Sequence, residues 1–227
     1  MSGKLIVIEG VDGVGKQTQA QLLQAYLNMQ GVSSATIDFP RYGKTDGAKR
    51  VEAHLQKKAL LSTEELAMAF AADRFASKPY LQALLATNDF VIADRYVYSN
   101  VAYQVAKTPE GSRAAMFDLL GRVEFRLSRM PVPDCVVFLT VNNSPLDWAM
   151  LADRLAVRGN KDVHEAAMDL LKEANSQYFE IASYIAERSA VHEEAGTQSH
   201  LVYAMQDRAD VAKSVAACVA ATFGLSS

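Results

Sequence analysis

The sequence predicts an α/β fold: a mainly parallel sheet with helices on both faces. Three observations carry that prediction. Apolar, strand-like runs recur at Leu5–Ile8, Ala35–Phe39, Phe90–Ala93, Cys135–Val141 and Leu201–Met205. Long stretches of helical periodicity separate them, the alternation from which parallel sheets are built. The first run also enters a glycine-rich turn, and an amphipathic helical pattern leaves it.

That first unit reads Leu5-Ile6-Val7-Ile8-Glu9-Gly10-Val11-Asp12-Gly13-Val14-Gly15-Lys16-Gln17-Thr18. Gly10 and Gly15 permit backbone conformations that a Cβ would hinder, so successive N–H groups can turn toward a phosphate. Lys16 adds a flexible point charge, and the helix that follows adds its positive end. The spacing Gly-x4-Gly-Lys is that of a phosphate-binding P-loop, with Gln17 standing where Ser or Thr usually offers a magnesium-binding hydroxyl. Gly10, Gly13, Gly15, Lys16, Gln17 and Thr18 are the expected nucleotide contacts. The helix runs from Lys16 to about Gln30, buries Leu22, Leu23, Tyr26 and Leu27, and ends before Gly31.

The second strand ends in Asp38-Phe39-Pro40-Arg41-Tyr42-Gly43, where Phe39 and Tyr42 supply flat surfaces and Arg41 a cation. Ser62-Thr63-Glu64-Glu65 is a capping box opening a helix that carries Leu66, Ala69, Phe70, Ala72 and Phe75. Pro79 predicts a break or kink near Lys78. Phe70 and Arg74, four residues apart, share a face of this helix, a pairing suited to a planar base with carbonyl acceptors. The third strand closes on Asp94-Arg95-Tyr96, where parallel sheets place their ligands. Asp94 can hold magnesium or its water shell, and Arg95 can fork onto phosphate oxygens. Ser99, Asn100 and Tyr103 follow as a polar set, and Asn100 can read a base edge. Arg41–Lys49, Ala106–Ser112, Ala156–Val163 and Ala195–Ser199 read as loops. The third carries Arg158, Gly159, Asn160 and Lys161, a basic segment able to close over phosphates as a lid. The final helix spans roughly Asp210 to Phe223 and stops at Gly224.

With 227 residues and 50% hydrophobic composition, the chain fits one domain, 1–227, without repeats or linkers. A formal net charge of −3 argues against a general nucleic-acid binder. Cys135 and Cys218 fit apolar patterns, as buried thiols in a reducing compartment do. Met1-Ser2-Gly3-Lys4 is too short for a signal peptide, and no apolar run approaches the roughly 20 residues that span a bilayer. A cytoplasmic protein without membrane association is expected.

Taken in order, the P-loop with Val11-Asp12-Gly13, Phe39-Pro40-Arg41-Tyr42-Gly43, Phe70-x-x-Asp73-Arg74 and Asp94-Arg95-Tyr96-x-x-Ser99-Asn100-x-x-Tyr103 closely resemble bacterial thymidylate kinases. The resemblance runs from Leu5 to about Tyr178. It implies the three-layer P-loop NTPase fold of the nucleoside monophosphate kinases, with a five-stranded parallel sheet and a lid at about 153–165. It implies transfer of the γ-phosphoryl group of ATP to dTMP in dTTP biosynthesis, magnesium dependence and a homodimer. By the same resemblance Asp12 lies near the dTMP 3′-hydroxyl and the reacting phosphates. Lys16 holds the ATP β- and γ-phosphates, and Thr18 approaches the α-phosphate. Phe39 and Arg41 flank the acceptor nucleotide, and Tyr42 sits near its phosphate. Phe70 stacks on thymine, Arg74 donates to its O4, Asn100 addresses its edge, and Tyr103 lies under the deoxyribose. Arg95 grips the dTMP phosphate, and Asp94 belongs to the magnesium region. Because Gly13 occupies the P-loop position where some members carry an arginine, the lid is expected to supply that cation from Arg154 or Arg158, with Lys161 as a third candidate. His164-Glu165 resembles the aromatic–Glu pair after the lid, so Glu165 orients a lid arginine or the magnesium water shell.

Three other classes stay open at this stage. A deoxynucleoside kinase also uses a P-loop and an Asp-Arg pair, but the Phe-Pro-Arg motif favours a monophosphate acceptor. A GTP-dependent switch requires Asn-Lys-x-Asp, and Asn160-Lys161-Asp162 has the wrong spacing. A catalytically silent nucleotide-binding scaffold is separated from an enzyme only by turnover.

Overall fold

Five parallel strands form one sheet in the order β2-β3-β1-β4-β5: β1 Lys4–Gly10, β2 Ser34–Asp38, β3 Phe90–Asp94, β4 Cys135–Thr140 and β5 Gln198–Tyr203. This computed structural model describes residues 3–157, 165–191 and 196–225. The central position of β1 follows from its composition, since Leu5 to Ile8 are all at most 1% exposed and a strand covered on both faces must be continuously apolar. β1 lies between β3 and β4, so the chain leaves its carboxyl end at the crevice where the connections diverge. The register pairs Ile8 with Asp94 and Glu9 with Phe138, bringing the glycine-rich turn beside the end of β3. The Arg95 N–H donates to the Ile8 carbonyl at 3.0 Å and extends that juxtaposition past the ladder.

Helices α1 (Lys16–Met29), α2 (Asp46–Leu55), α3 (Thr63–Thr87), α4 (Val97–Lys107), α5 (Arg113–Gly121), α6 (Pro145–Val157), α7 (Glu165–Val191) and α8 (Arg208–Phe223) complete the described elements, with a 3₁₀ turn Glu110–Ser112 inside the expected loop Ala106–Ser112 and a π-helical segment Arg122–Leu127 after α5. α1 buries Leu23 and Leu27 as expected, while Leu22 is exposed. The Ser62–Glu65 capping box is formed in both directions. α8 starts two residues earlier than the sequence suggests, because Asp207 caps it through the Ala209 N–H at 2.8 Å, and it closes on Gly224 in the left-handed conformation.

Four local expectations are corrected. The loop expected over Arg41–Lys49 gives way to α2 at Asp46, because Thr45 accepts the Ala48 N–H at 3.0 Å and caps the helix. α3 continues through Pro79 without a break. Leu81 and Leu85 beyond the proline are buried, and Lys78 donates to the Ser128 carbonyl at 2.9 Å, so packing on both sides of the lost backbone bond holds the helix. Phe75 on the same helix faces solvent. β5 begins three residues before the expected Leu201, through the polar Gln198-Ser199-His200, as an edge strand can. The expected loop at Ala156–Val163 starts inside α6, and its residues 158–163 lie outside the described residues, as does Ala195.

Cys135 is buried in β4 and Cys218 half-buried on α8, both as free thiols. Burial pushes the Cys135 thiol up to about 12, which leaves it protonated and unreactive. Among the described residues no helix is long and apolar enough to cross a membrane.

Candidate active site

The glycine-rich turn is shaped by close approach to β4. A Cβ on Gly10, whose φ is +144°, would stand 2.5 Å from the Leu139 carbonyl oxygen. Gly15 adopts the left-handed conformation at φ 97° as the N-cap of α1, and no side chain caps this end. The positive end of α1 is therefore directed at the turn. Gly13 lies against Leu151 and Leu155 of α6. Lys16 is buried and donates from Nζ to the Val11 carbonyl at 2.8 Å, across the concave side of the turn. Burial, and then the Arg95 charge, push its ammonium down to about 7 against the pull of Asp12, Asp94 and Glu9. Gln17 is exposed and Thr18 half-buried in the first turn of α1.

Arg95 begins the chain reversal after β3 with φ at +65°, a conformation few non-glycine residues adopt. That strain has a visible consequence. The guanidinium folds back over the glycine-rich turn, forming an ion pair with Asp12 and donating to the Ser99 hydroxyl at 3.0 Å and the Gly10 carbonyl at 3.4 Å. Tyr103 completes the set, donating to Asp12 Oδ2 at 3.0 Å and accepting the Asp12 N–H at 3.1 Å. Partial desolvation raises the Asp12 carboxyl, but Arg95 and Lys16 outweigh it and hold the group below its usual value. Asp94, at the end of β3, is raised by burial against Lys16 and Arg95, and its Oδ1 is buried without a hydrogen-bond partner among the described residues.

From this cluster a cavity of about 160 Å³ runs between α3 and α4. Asp12, Arg95 and Tyr103 form one end, and Phe39, Pro40 and Tyr42 one side. Phe70, Arg74, Ser99 and Asn100 line the remainder, so nine expected contact residues from four separated segments meet at one space. Asn100 donates from Nδ2 to the Ala67 carbonyl at 3.0 Å, which fixes the amide and leaves its buried Oδ1 unpaired among the described residues. Arg74 is almost wholly buried and paired with Glu124, and Phe70 packs on the small cluster of Val51, Leu66 and Ala69. A larger cavity of about 540 Å³ lies against Val97, Tyr98 and Val101 of α4, but the glycine-rich turn contributes nothing to it. The chemistry-bearing groups select the smaller one.

Two expected residues are placed elsewhere. Arg41 stacks its guanidinium 4.0 Å from the centre of the Tyr80 ring and is absent from the cavity wall, because its N–H is bonded to Asp73 at 3.0 Å and the loop turns the side chain toward α3. Arg154 donates to the carbonyls of Ala204 at 3.2 Å and Gln206 at 3.5 Å, docked on the chain beyond β5 and not on the cavity. Arg158, Lys161 and His164 lie outside the described residues, and of Glu165 only the backbone, at the start of α7, is described.

The sequence reading left several functional groups without a role. Glu9 is fully buried, accepts the N–H groups of Tyr96 at 2.9 Å and Ser99 at 3.0 Å, and accepts the Ser99 hydroxyl on its second oxygen. It caps α4 from the neighbouring strand, and Tyr178, whose hydroxyl lies 3.0 Å from that of Ser99, closes the network. A lone acid inside an apolar strand was the available signal, since such a group is rarely buried unless paired. Asp73 accepts the Arg41 N–H at 3.0 Å and the Thr45 hydroxyl at 2.5 Å, holding the aromatic loop on α3. Gln104, one turn beyond Asn100, also lines the cavity, as its helical spacing would have indicated, and its Oε1 is unpaired among the described residues.

A family model described as thymidylate kinase matches residues 8–203. The thymidylate kinase of Mycobacterium tuberculosis (strain H37Rv) is 40% identical over 141 residues, 61% of this chain and 66% of that protein, so the match spans just under two thirds of the relative's length. A protein described as a probable thymidylate kinase of Pyrococcus abyssi is 28% identical over 204 residues, 87% of this chain and 92% of that one. That of Danio rerio is 31% identical over 140 residues, covering 62% of each. The solved thymidylate kinase structure from Candida albicans superposes with a TM-score of 0.69 at 24% identity, covering 99% of this chain and 93% of that one, and establishes the likeness of fold. Bacterial, archaeal and eukaryotic relatives thus all match, so the likeness is not confined to a bacterial branch.

Proposed function

The chain belongs to the thymidylate kinase family, and from that premise we propose that it transfers the γ-phosphoryl group of ATP to dTMP, giving ADP and dTDP. The observation that carries the reading is the placement of the Asp12–Arg95–Tyr103 cluster between a P-loop and an aromatic-walled cleft ending in Asn100 and Arg74. A phosphate bound at Arg95 then faces the P-loop, while its base lies among Phe70, Asn100 and Arg74. The Asn100 Oδ1, unpaired among the described residues, suits the N3–H donor of thymine, and the Arg74 N–H groups not engaged by Glu124 and Tyr96 suit its O4 acceptor.

In the reaction an oxygen of the dTMP phosphate attacks the γ-phosphorus, a new P–O bond forms, and the bond to the β-phosphate oxygen breaks as ADP leaves. Both partners are anionic, so positioning and charge neutralisation supply most of the catalysis. Lys16 neutralises the donor phosphates from inside the P-loop, and Arg95 neutralises the acceptor. Asp12, drawn to Arg95 and Tyr103, holds the arginine fork and the acceptor sugar. A lid arginine excludes water and adds a third cation. With Arg154 docked on backbone carbonyls, Arg158 is the stronger candidate and Lys161 the next.

The groups on hand also suit a hard cation. The half-buried Asp94 has a carboxylate oxygen beside the P-loop that is unpaired among the described residues, and magnesium accepts one or two carboxylates while keeping several waters. Asp94 would hold the ion, with Glu165 as a second carboxylate, and Mg²⁺ when bound offsets the charge on the transferring phosphates.

The reading extends to a single domain over 1–227, dTTP biosynthesis in the cytoplasm, and a homodimer. Free thiols support the compartment, and exposed Leu60 and Phe75 near α2 and α3 offer apolar surface for a second copy. A coupled ADP-release assay with ATP and Mg²⁺ over dTMP, dUMP, dCMP, dGMP and thymidine tests the central claim. Turnover of dTMP with weaker use of dUMP is expected. Turnover of thymidine alone would move the protein to the nucleoside kinases, and none at all would make it a silent nucleotide binder.

A further inference from the structure

Arg74 and Glu124 are separated by 50 residues and meet in the interior at 2% and 0% side-chain exposure. Glu124 Oε1 accepts from Nε at 3.0 Å and also from Nη2, while Nη1 reaches the Tyr96 carbonyl at 3.4 Å. A guanidinium has five N–H donors, so these three bonds leave two for the cavity that Arg74 lines. Glu124 Oε2 is buried and unpaired among the described residues. A buried ion pair with one oxygen unsatisfied is a poor way to hold two segments together, since a well-packed apolar pair commonly does as well or better. Its presence here points to a role that charge and direction serve.

Local geometry supports such a role. Glu124 lies in the π-helical segment Arg122–Leu127, and the extra residue per turn directs Glu124 inward while Arg122, Arg126 and Leu127 remain exposed. Single π-helical turns occur frequently at functional sites. Lys78, one turn along α3 from Arg74, grips the Ser128 carbonyl at 2.9 Å, so the segment is fixed to α3 at two successive turns.

We propose that Glu124 is a positioning residue that fixes the Arg74 fork and thereby sets selectivity for a carbonyl over an amine at position 4 of the pyrimidine. The proposal rests on the dTMP kinase reading above. Held by Glu124 along its Nε–Nη2 edge, the fork turns its remaining donors to the cavity and cannot withdraw. A thymine O4 accepts them, whereas a cytosine amine sets donor against donor. If the fork can rotate, that conflict is relieved and discrimination falls.

The test is steady-state kinetics of Glu124→Gln, which keeps the shape and removes the charge, with dTMP and dCMP as acceptors. The wild-type protein is measured first: absence of dTMP turnover there overturns the activity reading, and this proposal with it, before any variant is read. Given that turnover, the dTMP KM should rise about tenfold with kcat and the ATP KM little changed, and the dTMP-to-dCMP ratio of kcat/KM should fall about tenfold or more. Introduced into Arg74→Leu, Glu124→Gln should cause no further loss of selectivity, because the effect passes through Arg74. The double variant Arg74→Leu/Glu124→Leu provides a folded apolar pair, in which the same selectivity loss is expected. A Glu124→Gln protein that loses kcat equally on both acceptors, with the ratio unchanged, overturns the proposal in favour of a purely structural pair. So does a selectivity loss that persists undiminished in the Arg74→Leu background.

Discussion

The Arg95 guanidinium closes on the Asp12 carboxylate across 83 residues of sequence, joining the end of β3 to the glycine-rich turn after β1. Tyr103 grips the same carboxylate from α4, so three elements converge on one acid. Asp12→Asn keeps the shape and one acceptor but leaves Arg95 without its counter-charge. Because the Asp12 side chain is 56% exposed, solvent screens the pair and the stability loss should stay below about 1 kcal/mol. Turnover should fall at least about 100-fold, as when other preorganised charge partners are removed. Thermal melting and kcat measured on the same sample separate the two, and a variant that keeps near wild-type turnover would contradict the role given to this pair.

Asn100 provides the second prediction. Its Oδ1 has no partner among the described residues, so Asn100→Leu removes an acceptor that only a ligand would use. The dTMP KM should rise at least about tenfold, the worth of one hydrogen bond to a buried group, with the ATP KM unchanged. If both KM values move together, Asn100 acts on the fold and not on the base.

The depressed Lys16 ammonium predicts proton uptake. In the free protein it titrates at about 7, pushed down by burial and Arg95, whereas a phosphate placed on it restores a higher value. Between those two values the complex holds a proton the free protein lacks, so binding takes one up and weakens as pH rises above 7. At pH 8, where the ATP phosphates are already ionised, uptake should approach about one proton per ATP. Calorimetry in buffers of differing ionisation enthalpy measures it, and heats independent of buffer would exclude the mechanism.

Glu9 concerns the scaffold. Glu9→Ala strips acceptors from two buried N–H groups and one hydroxyl at the start of α4. The expected cost is about 3 kcal/mol, or roughly 6–12 °C in Tm. Burial also raises the Glu9 carboxyl, with Ser99, Arg95 and the two N–H groups opposing it. Folded Glu9 therefore binds its proton more tightly than unfolded Glu9, and its contribution to stability declines as pH rises from the unfolded value through the raised folded one. Glu9→Gln should flatten that decline. A pH–stability curve unchanged by Glu9→Gln would show that the carboxyl does not titrate across that range.

Much of this arrangement was legible from the sequence. The P-loop declared itself because its glycine spacing acts on adjacent backbone, and the Phe70–Arg74 pair because 3.6 residues per turn set both on one face. The strand at Phe90–Asp94 was found almost to the residue, since a strand buried on both faces has no polar alternation to blur it. The polar start of β5 and the Thr45-capped α2 were missed because short or edge elements draw their stability from tertiary neighbours more than from their own pattern.

What the sequence by itself determined is therefore the set of groups bound by local geometry: the phosphate turn, the capping box, the shared face of Phe70 and Arg74, and the order of the strands along the chain. Only the tertiary structure decided the partners. It paired Arg74 with Glu124, turned Arg41 onto Tyr80, docked Arg154 on the carbonyls beyond β5, and set Glu9 under the start of α4. The reason is physical. Chain geometry fixes where neighbours within a few turns must point, whereas a long, charged side chain chooses among acceptors tens of residues away, and burial of the surrounding core fixes which of them it can reach.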